Sequence, residues 1–208
     1  MKNIVVIGSG GFSKQVIEMI EGLKEEYNLL GIIDDEKRLI GKEILGYKII
    51  GDTNYLRQYA RNEKIYGVIA IADPKIKEKI SNSLDDVIWT NLIHPSAIIS
   101  KHIKMGKGNI VCANVVINPE SVLGDHCHIN ISTTLGHDVT MLDYVTIMPG
   151  ARISGNVLVK SNSMIGTGVS VLQNLIIEEK VILGAGSVVI KNTEKNSTYI
   201  GVPAKKNK

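Results

Sequence analysis

A six-residue repeat runs without interruption through the second half of the chain. Every sixth position from Ile93 to Val189 is Ile, Leu, Val or Met, which makes seventeen consecutive apolar positions. Three residues after these positions, nine of the seventeen side chains are Gly or Asn, which tolerate the left-handed backbone region. A short strand followed by such a corner, repeated in constant register, predicts a parallel β-helix whose triangular coils each contain three hexads. The period alone leaves the hand of the helix open.

The residues available for the interior agree with this fold. Of nine aromatic residues only Tyr144 falls between positions 93 and 194. Four residues after the apolar positions, the side chain is usually small or β-branched, so the interior is narrow and aliphatic. A β-sandwich would instead show period-two alternation and longer loops. The hexads therefore predict between five and six coils of a β-helix.

The first 92 residues alternate between strand-like and helix-like segments. Apolar β-branched runs are "NIVVIG", "LLGIIDD" and "YGVIAIAD", whereas "FSKQVIEMIEGLKEE" and "PKIKEKISNSL" have helical patterns. This order predicts an α/β domain, a small Rossmann-like parallel sheet with crossover helices. We expect this domain over 1–92, the β-helix over 93–194 and a C-terminal tail over 195–208.

Two features of the first domain fit a ligand site. The glycines of "GSGG" (8–11) join the first strand to the first helix, where backbone N–H groups and the helix dipole favour a phosphate. Ser13 occupies the position of the third glycine in the dinucleotide fingerprint, so a tight turn without a ligand is the alternative. Asp34 and Asp35 end the second strand at the carboxyl edge of the sheet, where ligands of such folds bind. Alone, they would be ordinary turn residues.

Composition argues against several classes of function. A net charge of +3 without a long basic run argues against a nucleic-acid partner, and the tail "AKKNK" reads as a solvated terminus that could also meet an anionic ligand. No apolar run reaches spanning length, and glycine interrupts "MKNIVVIG" too early for a signal peptide. Two cysteines give no disulfide framework. We expect a cytoplasmic protein without membrane insertion.

"TLGHDVT" carries the strongest catalytic candidate. His137 follows the inward Leu135 by two residues, so its ring should point outward at a corner. Histidine suits a general base because its unperturbed pKa lies near neutrality. A backbone N–H near Gly155, one coil further on, is a candidate oxyanion donor. The alternatives are a solvated corner histidine and, for Asp138, a corner position that Asp tolerates as Gly and Asn do.

The combination of the glycine turn, "IIDD", "LIHPSA", the unbroken hexads and "GVPAK" resembles a known family over nearly the whole chain. It is similar to the bacterial sugar acyltransferases that acetylate nucleotide-linked amino sugars, together with related sialic acid O-acetyltransferases. The resemblance implies a left-handed β-helix assembled as a homotrimer. It also implies acetyl-CoA as cosubstrate in the groove between neighbouring helices, with no metal, and an N-terminal domain that holds the uridine diphosphate end of a sugar substrate.

The resemblance also implies residue roles. His137 is the base, and Asp138 raises its basicity. Substrate contacts are implied for Gly10, Gly11, Phe12, Asp34, Asp35, Ala72 and Asn130. Cosubstrate contacts are implied for Thr146, Gly155, Thr167 and Ala185.

The leading hypothesis is acetyl transfer to the amino group of a UDP-linked amino sugar. Thr146 and Phe12 stand where these N-acetyltransferases often carry histidines. The two differences argue against a UDP-linked amino sugar as acceptor more than they argue against acetyl transfer itself. The alternatives are a sugar or sialic acid O-acetyltransferase and a non-catalytic nucleotide-sugar-binding scaffold. A zinc enzyme on the same helix would need three convergent histidines, and the spacing of His126, His128 and His137 does not match that arrangement.

Overall fold

The computed structural model describes residues 1–207 and divides the chain into two compact units. The first comprises Met1–Ala72 and Ile76–Leu92, and the second comprises Asp73–Lys75 and the chain from Ile93 onward. Each unit has its own core of buried aliphatic side chains. No helix among the described residues is both long and apolar enough to cross a membrane.

The first unit is built on a six-stranded sheet with the order β3-β4-β2-β1-β5-β6, in which only the β3–β4 pair is antiparallel. Its strands are β1 (Lys2–Ile7), β2 (Tyr27–Ile33), β3 (Glu43–Ile44), β4 (Tyr47–Gly51), β5 (Tyr66–Ile69) and β6 (Ile88–Trp89). The helices are α1 (Gly11–Glu21), α2 (Thr53–Asn62) and α3 (Pro74–Ser81), with a 3-10 turn at Lys37–Leu39.

Residues 36–65 contain elements that the sequence patterns do not single out. β3 and β4 form a hairpin through Leu45 and Gly46, whose φ angles of 49° and 84° match the twist that two-residue hairpins require. Leucine is a weak signal for such a turn, which explains why the pattern is hard to recognise. α2 begins after Asp52, whose carboxylate caps the helix by accepting a hydrogen bond from the Tyr55 N–H at 2.9 Å.

The second unit is a parallel β-helix, as predicted. Three sheets receive successive strands in turn. Sheet I contains β7, β10, β13, β16, β19, β22, β24 and β25; sheet II contains β8, β11, β14, β17, β20 and β23; sheet III contains β9, β12, β15, β18 and β21. The strands are β7 (Leu92–Ile93), β8 (Ile98–Ile99), β9 (Lys104–Met105), β10 (Ile110–Val111), β11 (Val116–Ile117), β12 (Val122–Leu123), β13 (His128–Ile129), β14 (Thr134–Leu135), β15 (Thr140–Met141), β16 (Thr146–Ile147), β17 (Arg152–Ile153), β18 (Leu158–Val159), β19 (Met164–Ile165), β20 (Ser170–Val171), β21 (Ile176–Ile177), β22 (Ile182–Leu183), β23 (Val188–Val189), β24 (Thr198–Ile200) and β25 (Lys205–Lys206).

The register of the strands fixes the length of a coil. Thr146 pairs with His128 on one side and with Met164 on the other, so each coil contains eighteen residues. The apolar positions of the hexads point inward and are buried, and so are most residues four positions later, such as Val139 and Val145. These two inward positions fill the narrow interior that the scarcity of aromatic residues indicates.

Small polar residues at the inward corner positions bond to the backbone of the next coil. The Ser121 hydroxyl donates to the Gly136 carbonyl at 3.2 Å, and the Ser163 hydroxyl donates to the Glu178 carbonyl at 2.8 Å. These bonds satisfy hydroxyls that would otherwise be costly to bury. Ser, Thr and Cys can therefore occupy this inward position as well as Val and Ala.

Left-handed corners occur at every hexad from Gly108 to Gly186. All fourteen residues at this spacing have φ between 55° and 71°, including Ser132, Asp138 and Tyr144, which are neither Gly nor Asn. The corner therefore follows from the coil geometry, and the side chain only modulates its cost. Asn192 was expected to continue the series and does not: its φ lies outside this region, and its carboxamide oxygen accepts the Ile176 N–H at 2.8 Å.

The predicted tail includes a further strand of the β-helix. β24 pairs with β22 in parallel, and β25 folds back on β24. Leu183 pairs with Tyr199, an offset of sixteen residues instead of eighteen. Because the last coil is shorter than the others, the hexad count does not reach it.

Corner conformation predicts opposite effects of two substitutions in adjacent coils. Gly150 has φ of 70° with open space around a would-be Cβ, so Gly150→Ala should lower the free energy of unfolding by about 1 kcal/mol through backbone strain alone. Ser132 holds the same corner one coil earlier with φ of 58°, and Ser132→Gly should leave stability unchanged or raise it. Urea unfolding of both variants measures the difference. Equal destabilisation by both would contradict the role of the corner.

Candidate active site

His137 lies on one edge of the β-helix, at the corner where the chain passes from sheet II to sheet III. Because each coil contains eighteen residues, the residues at the same place on this corner are spaced by eighteen. We call this column of corner residues the His137 edge. It consists of Lys101, Pro119, His137, Gly155, Gln173 and Lys191.

The neighbouring side chains of His137 and Asp138 bond directly to each other. Nδ1 of His137 lies 2.6 Å from Oδ2 of Asp138, and the two side chains are 72% and 54% exposed. In an extended strand, adjacent side chains point to opposite faces. Asp138 instead has φ of 59°, and this left-handed corner lets its carboxylate meet the preceding imidazole. With Nδ1–H donated to the carboxylate, Nε2 of a neutral imidazole carries the lone pair.

Glycines make room for the imidazole. A Cβ on Gly155, one coil further on, would lie 2.7 Å from both Cε1 and Nε2 of His137. The ring therefore leans over Gly155, and any larger residue there would displace it. A Cβ on Gly136 would lie 2.5 Å from the Gly155 nitrogen, so a side chain at position 136 would collide with the backbone of the next coil. Gly136 was not among the predicted site residues, although its place directly before the histidine is a usable signal.

Two residues predicted to contact ligands, Asn130 and Thr146, are buried in the folded chain. The Asn130 carboxamide, 6% exposed, donates to the Ile147 carbonyl at 2.7 Å. Asn118, two hexads earlier, makes the equivalent bond to the Leu135 carbonyl at 2.8 Å, so coil geometry accounts for both asparagines. Thr146 has no exposed surface in the single chain. Its cosubstrate contact stays a prediction.

Thr167 and Ala185 lie on a different edge from His137. Both are exposed and sit one coil apart at the corner between sheets I and II. The offset from Gly155 to Thr167 is twelve residues, two hexads instead of three, which places the two residues on different corners of the triangle. A single chain therefore brings Gly155, but not Thr167 or Ala185, onto the His137 edge.

In the first unit, Asp34 ties the glycine turn to the end of β2. Its Oδ2 accepts both the N–H and the hydroxyl of Ser9, at 2.9 and 2.6 Å, and its Oδ1 accepts the Glu36 N–H at 2.9 Å. Asp35 accepts the Thr53 N–H at 2.8 Å. Sequence patterns did not single out Ser9. The two carboxylates thus shape the carboxyl edge of the sheet.

The glycine turn itself is open. A Cβ on Gly10 or on Gly11 would meet nothing within 4 Å, so neither glycine is required by packing inside this unit. Ser13, in place of the third glycine, donates its hydroxyl to the Gly10 carbonyl at 2.7 Å. Phe12 is half-buried, as is Ala72, which follows β5 at the same edge of the sheet.

The histidines that a zinc site would need are not brought together. His126 precedes sheet I and stacks on Tyr144 with ring centroids 5.5 Å apart, His128 is buried in sheet I, and His137 follows sheet II. Within residues 1–207, no group of three or more His, Cys, Asp or Glu side chains is arranged to hold a metal ion.

Known proteins resemble this chain in both units. Residues 3–84 match the family model of the PglD N-terminal domain. The GDP-perosamine N-acetyltransferase of Escherichia coli is 31% identical over 174 residues, which cover 81% of this chain and 77% of that protein. The UDP-N-acetylbacillosamine N-acetyltransferase of Bacillus subtilis is 33% identical over 120 residues, 54% of this chain and 52% of that protein.

A solved structure extends the match to the whole chain. PerB from Caulobacter crescentus, in complex with CoA and GDP-perosamine, superposes with a TM-score of 0.92 at 30% identity, covering 100% of this chain and 98% of that one. The β-helix is left-handed, as the sequence resemblance implied. The chain therefore belongs to the bacterial sugar N-acyltransferases in which a PglD-type N-terminal domain precedes a hexapeptide-repeat β-helix.

Proposed function

We propose that this protein transfers an acetyl group from acetyl-CoA to the amino group of a nucleotide-linked amino sugar. The observation that carries the proposal is the His137–Asp138 pair, with the imidazole exposed on an edge of the β-helix. The relatives support the class of reaction: two are named as N-acetyltransferases of nucleotide-linked amino sugars, and PerB binds CoA together with GDP-perosamine.

The chemistry follows from the positions of three groups. The amine attacks the thioester carbonyl, and Nε2 of His137 removes its proton as the C–N bond forms. Asp138 stabilises the resulting imidazolium through the 2.6 Å bond to Nδ1. The Gly155 N–H donates to the oxyanion of the tetrahedral intermediate. When the C–S bond breaks, the imidazolium returns the proton to the leaving thiolate.

The nucleotide is proposed to bind at the carboxyl edge of the first unit's sheet. Gly10 and Gly11 leave open space above the start of α1, where N–H groups and the helix dipole favour phosphate. Asp34 positions this turn by holding Ser9, and Asp35 orders the start of α2. One relative is named for a GDP-linked sugar and another for a UDP-linked sugar. We therefore propose a nucleoside diphosphate at this edge and leave the identity of its nucleobase open.

Assembly as a homotrimer is part of the proposal. Thr167 and Ala185 lie on a different edge from His137, and a groove between two neighbouring helices would set one edge of a chain against another edge of its neighbour. Such a groove unites the predicted cosubstrate contacts, which a single chain separates.

We also place the protein in the cytoplasm. Both cysteines are buried free thiols, and burial raises the pKa of the Cys112 thiol to about 12, so this thiol stays protonated and unreactive. A chain that depends on no disulfide suits a reducing compartment.

An acceptor screen tests the proposed reaction. Thiol release from acetyl-CoA is measured with GDP-linked and UDP-linked amino sugars and with the matched nucleotide sugars that carry a hydroxyl in place of the amine. We expect release with at least one nucleotide-linked amine and none with its hydroxyl counterpart. Release with the hydroxyl compounds alone would make the protein an O-acetyltransferase, and no release with any acceptor would favour a binding scaffold.

His137→Ala should lower turnover at least about a hundredfold, because the amine loses its general base. His102→Ala is the matched control, since His102 is also an exposed histidine at this corner, two coils before Asp138. Steady-state rates of both variants are compared with circular dichroism spectra that report folding. Near-normal turnover of folded His137→Ala would refute the mechanism.

Asp138→Asn removes the carboxylate charge and keeps the left-handed backbone of the corner, because Asn adopts this conformation as readily as Asp. Turnover should fall about tenfold or more while KM for acetyl-CoA stays within about twofold, since the carboxylate acts only through the imidazole. A rise in KM without loss of turnover would instead make Asp138 a binding residue.

The trimer is tested by solution scattering. The particle should have three times the 22.7 kDa mass of the chain. A monomer that still turns over would contradict the groove between chains.

A further inference from the structure

The His137 edge is not symmetric in charge about the histidine. The residue that follows each edge residue is left-handed in the four coils from Glu120 to Asn174, and beside His137 it is Asp138. One coil towards the N-terminus this position is Glu120, the one carboxylate at these positions on that side, and the edge residue one coil further is Lys101. Towards the C-terminus the positions are Asn156, Asn174 and Asn192, and all three are neutral. An anion passing directly beside His137 is therefore opposed by Glu120 on one side and by no carboxylate at these positions on the other.

The neutral side of the edge ends in a cation. Lys191 follows Val189 by two residues, as His137 follows Leu135, and it is exposed. Glu194 is the one acidic residue between positions 184 and 207, and it pairs with Lys206 at 2.6 Å. The ammonium of Lys191 is thus not neutralised by the carboxylate nearest to it in sequence.

The spacing from His137 to Lys191 matches the length of a CoA arm. The two residues are three coils apart, and strands stack about 4.8 Å apart, which gives a separation of about 14 Å. Thirteen bonds join the sulfur of CoA to the first phosphorus, and a chain of amide-like units that long extends to about 15 Å. A thioester held at His137 therefore brings the first phosphorus of its diphosphate to the level of Lys191.

The orientation of the imidazole agrees with this direction. The ring leans over Gly155, the first residue of the edge on the side of Lys191. Nε2, the atom that meets the reacting centre, is thus turned towards the neutral half of the edge.

We propose that Lys191 binds a phosphate of acetyl-CoA and thereby sets the direction in which the cosubstrate lies along the His137 edge. A lysine ammonium is a compact, strongly charged phosphate ligand, suited to the end of a flexible chain. The inference rests on the proposed acetyl-CoA-dependent function and adds to it a residue that selects the phosphorylated donor.

The test compares donors that differ only in their phosphates. Lys191→Ala should reduce the preference for acetyl-CoA over acetyl-pantetheine, measured as the ratio of kcat/KM values, about tenfold, because charge-assisted bonds to phosphate are lost. Lys191→Arg should restore most of the preference. Lys101→Ala is the matched control: Lys101 lies on the same edge two coils before His137, and its removal should leave the ratio unchanged.

Acetyl-dephospho-CoA identifies which phosphate is bound. A loss seen equally with this donor assigns Lys191 to the diphosphate, and a loss confined to acetyl-CoA assigns it to the 3′-phosphate; both support the proposal. An unchanged ratio in Lys191→Ala, or an equal loss in Lys101→Ala, overturns it.

Calorimetric titration with CoA separates this inference from the proposed reaction. If the wild-type chain binds CoA and Lys191→Ala binds it about tenfold more weakly, the inference holds even when no amino sugar is acetylated. If both bind CoA equally, the inference fails and the proposed reaction is untouched. A wild-type chain that does not bind CoA overturns both.

Discussion

The left-handed corner at every sixth residue is the constraint on which the second unit depends. It turns the chain after each short strand, so three strands close a coil and the fourth pairs with the first in parallel register. The corners persist at Glu120, His126 and Tyr144, residues that pay a conformational cost to occupy them. Stacking of eighteen-residue coils therefore outweighs local preference. One inserted residue would move the inward side chains of that coil to the outside.

The same corner that closes the coil also brings the side chains of His137 and Asp138 together. Aspartates on another edge show what the fold alone uses a carboxylate for: Asp125 accepts the Lys107 N–H of the preceding coil at 2.9 Å, and Asp143 accepts the Asp125 N–H at 2.8 Å. Asp138 differs, because its carboxylate bonds to the imidazole of His137. This contrast weighs against the interpretation of Asp138 as a mere corner residue.

The repeat makes the β-helix predictable to the level of inward and outward residues. The sequence was less informative about the outward ones. Period six says that Thr146 points away from the interior, but not that its side chain is fully buried in the folded chain. Asn130 fits a ligand contact by position, and only its bond to the Ile147 carbonyl, shared in kind with Asn118, reveals a structural role. The bond between His137 and Asp138 could not be derived either, since it requires the backbone geometry of the corner.

Because the coils are nearly identical, the fold does not by itself determine which coil carries the histidine. Moving the pair by eighteen residues would preserve the corner and the register on either side. What changes with such a move is the distance to groups that are not repeated, such as Glu120 and Lys191. On a periodic scaffold, sequence separation converts directly into distance along the edge, at about 4.8 Å for every eighteen residues. If acetyl-CoA lies along the edge as proposed, the dimensions of the cosubstrate select the position of His137, with the reacting thioester at one coil and the first phosphate three coils beyond.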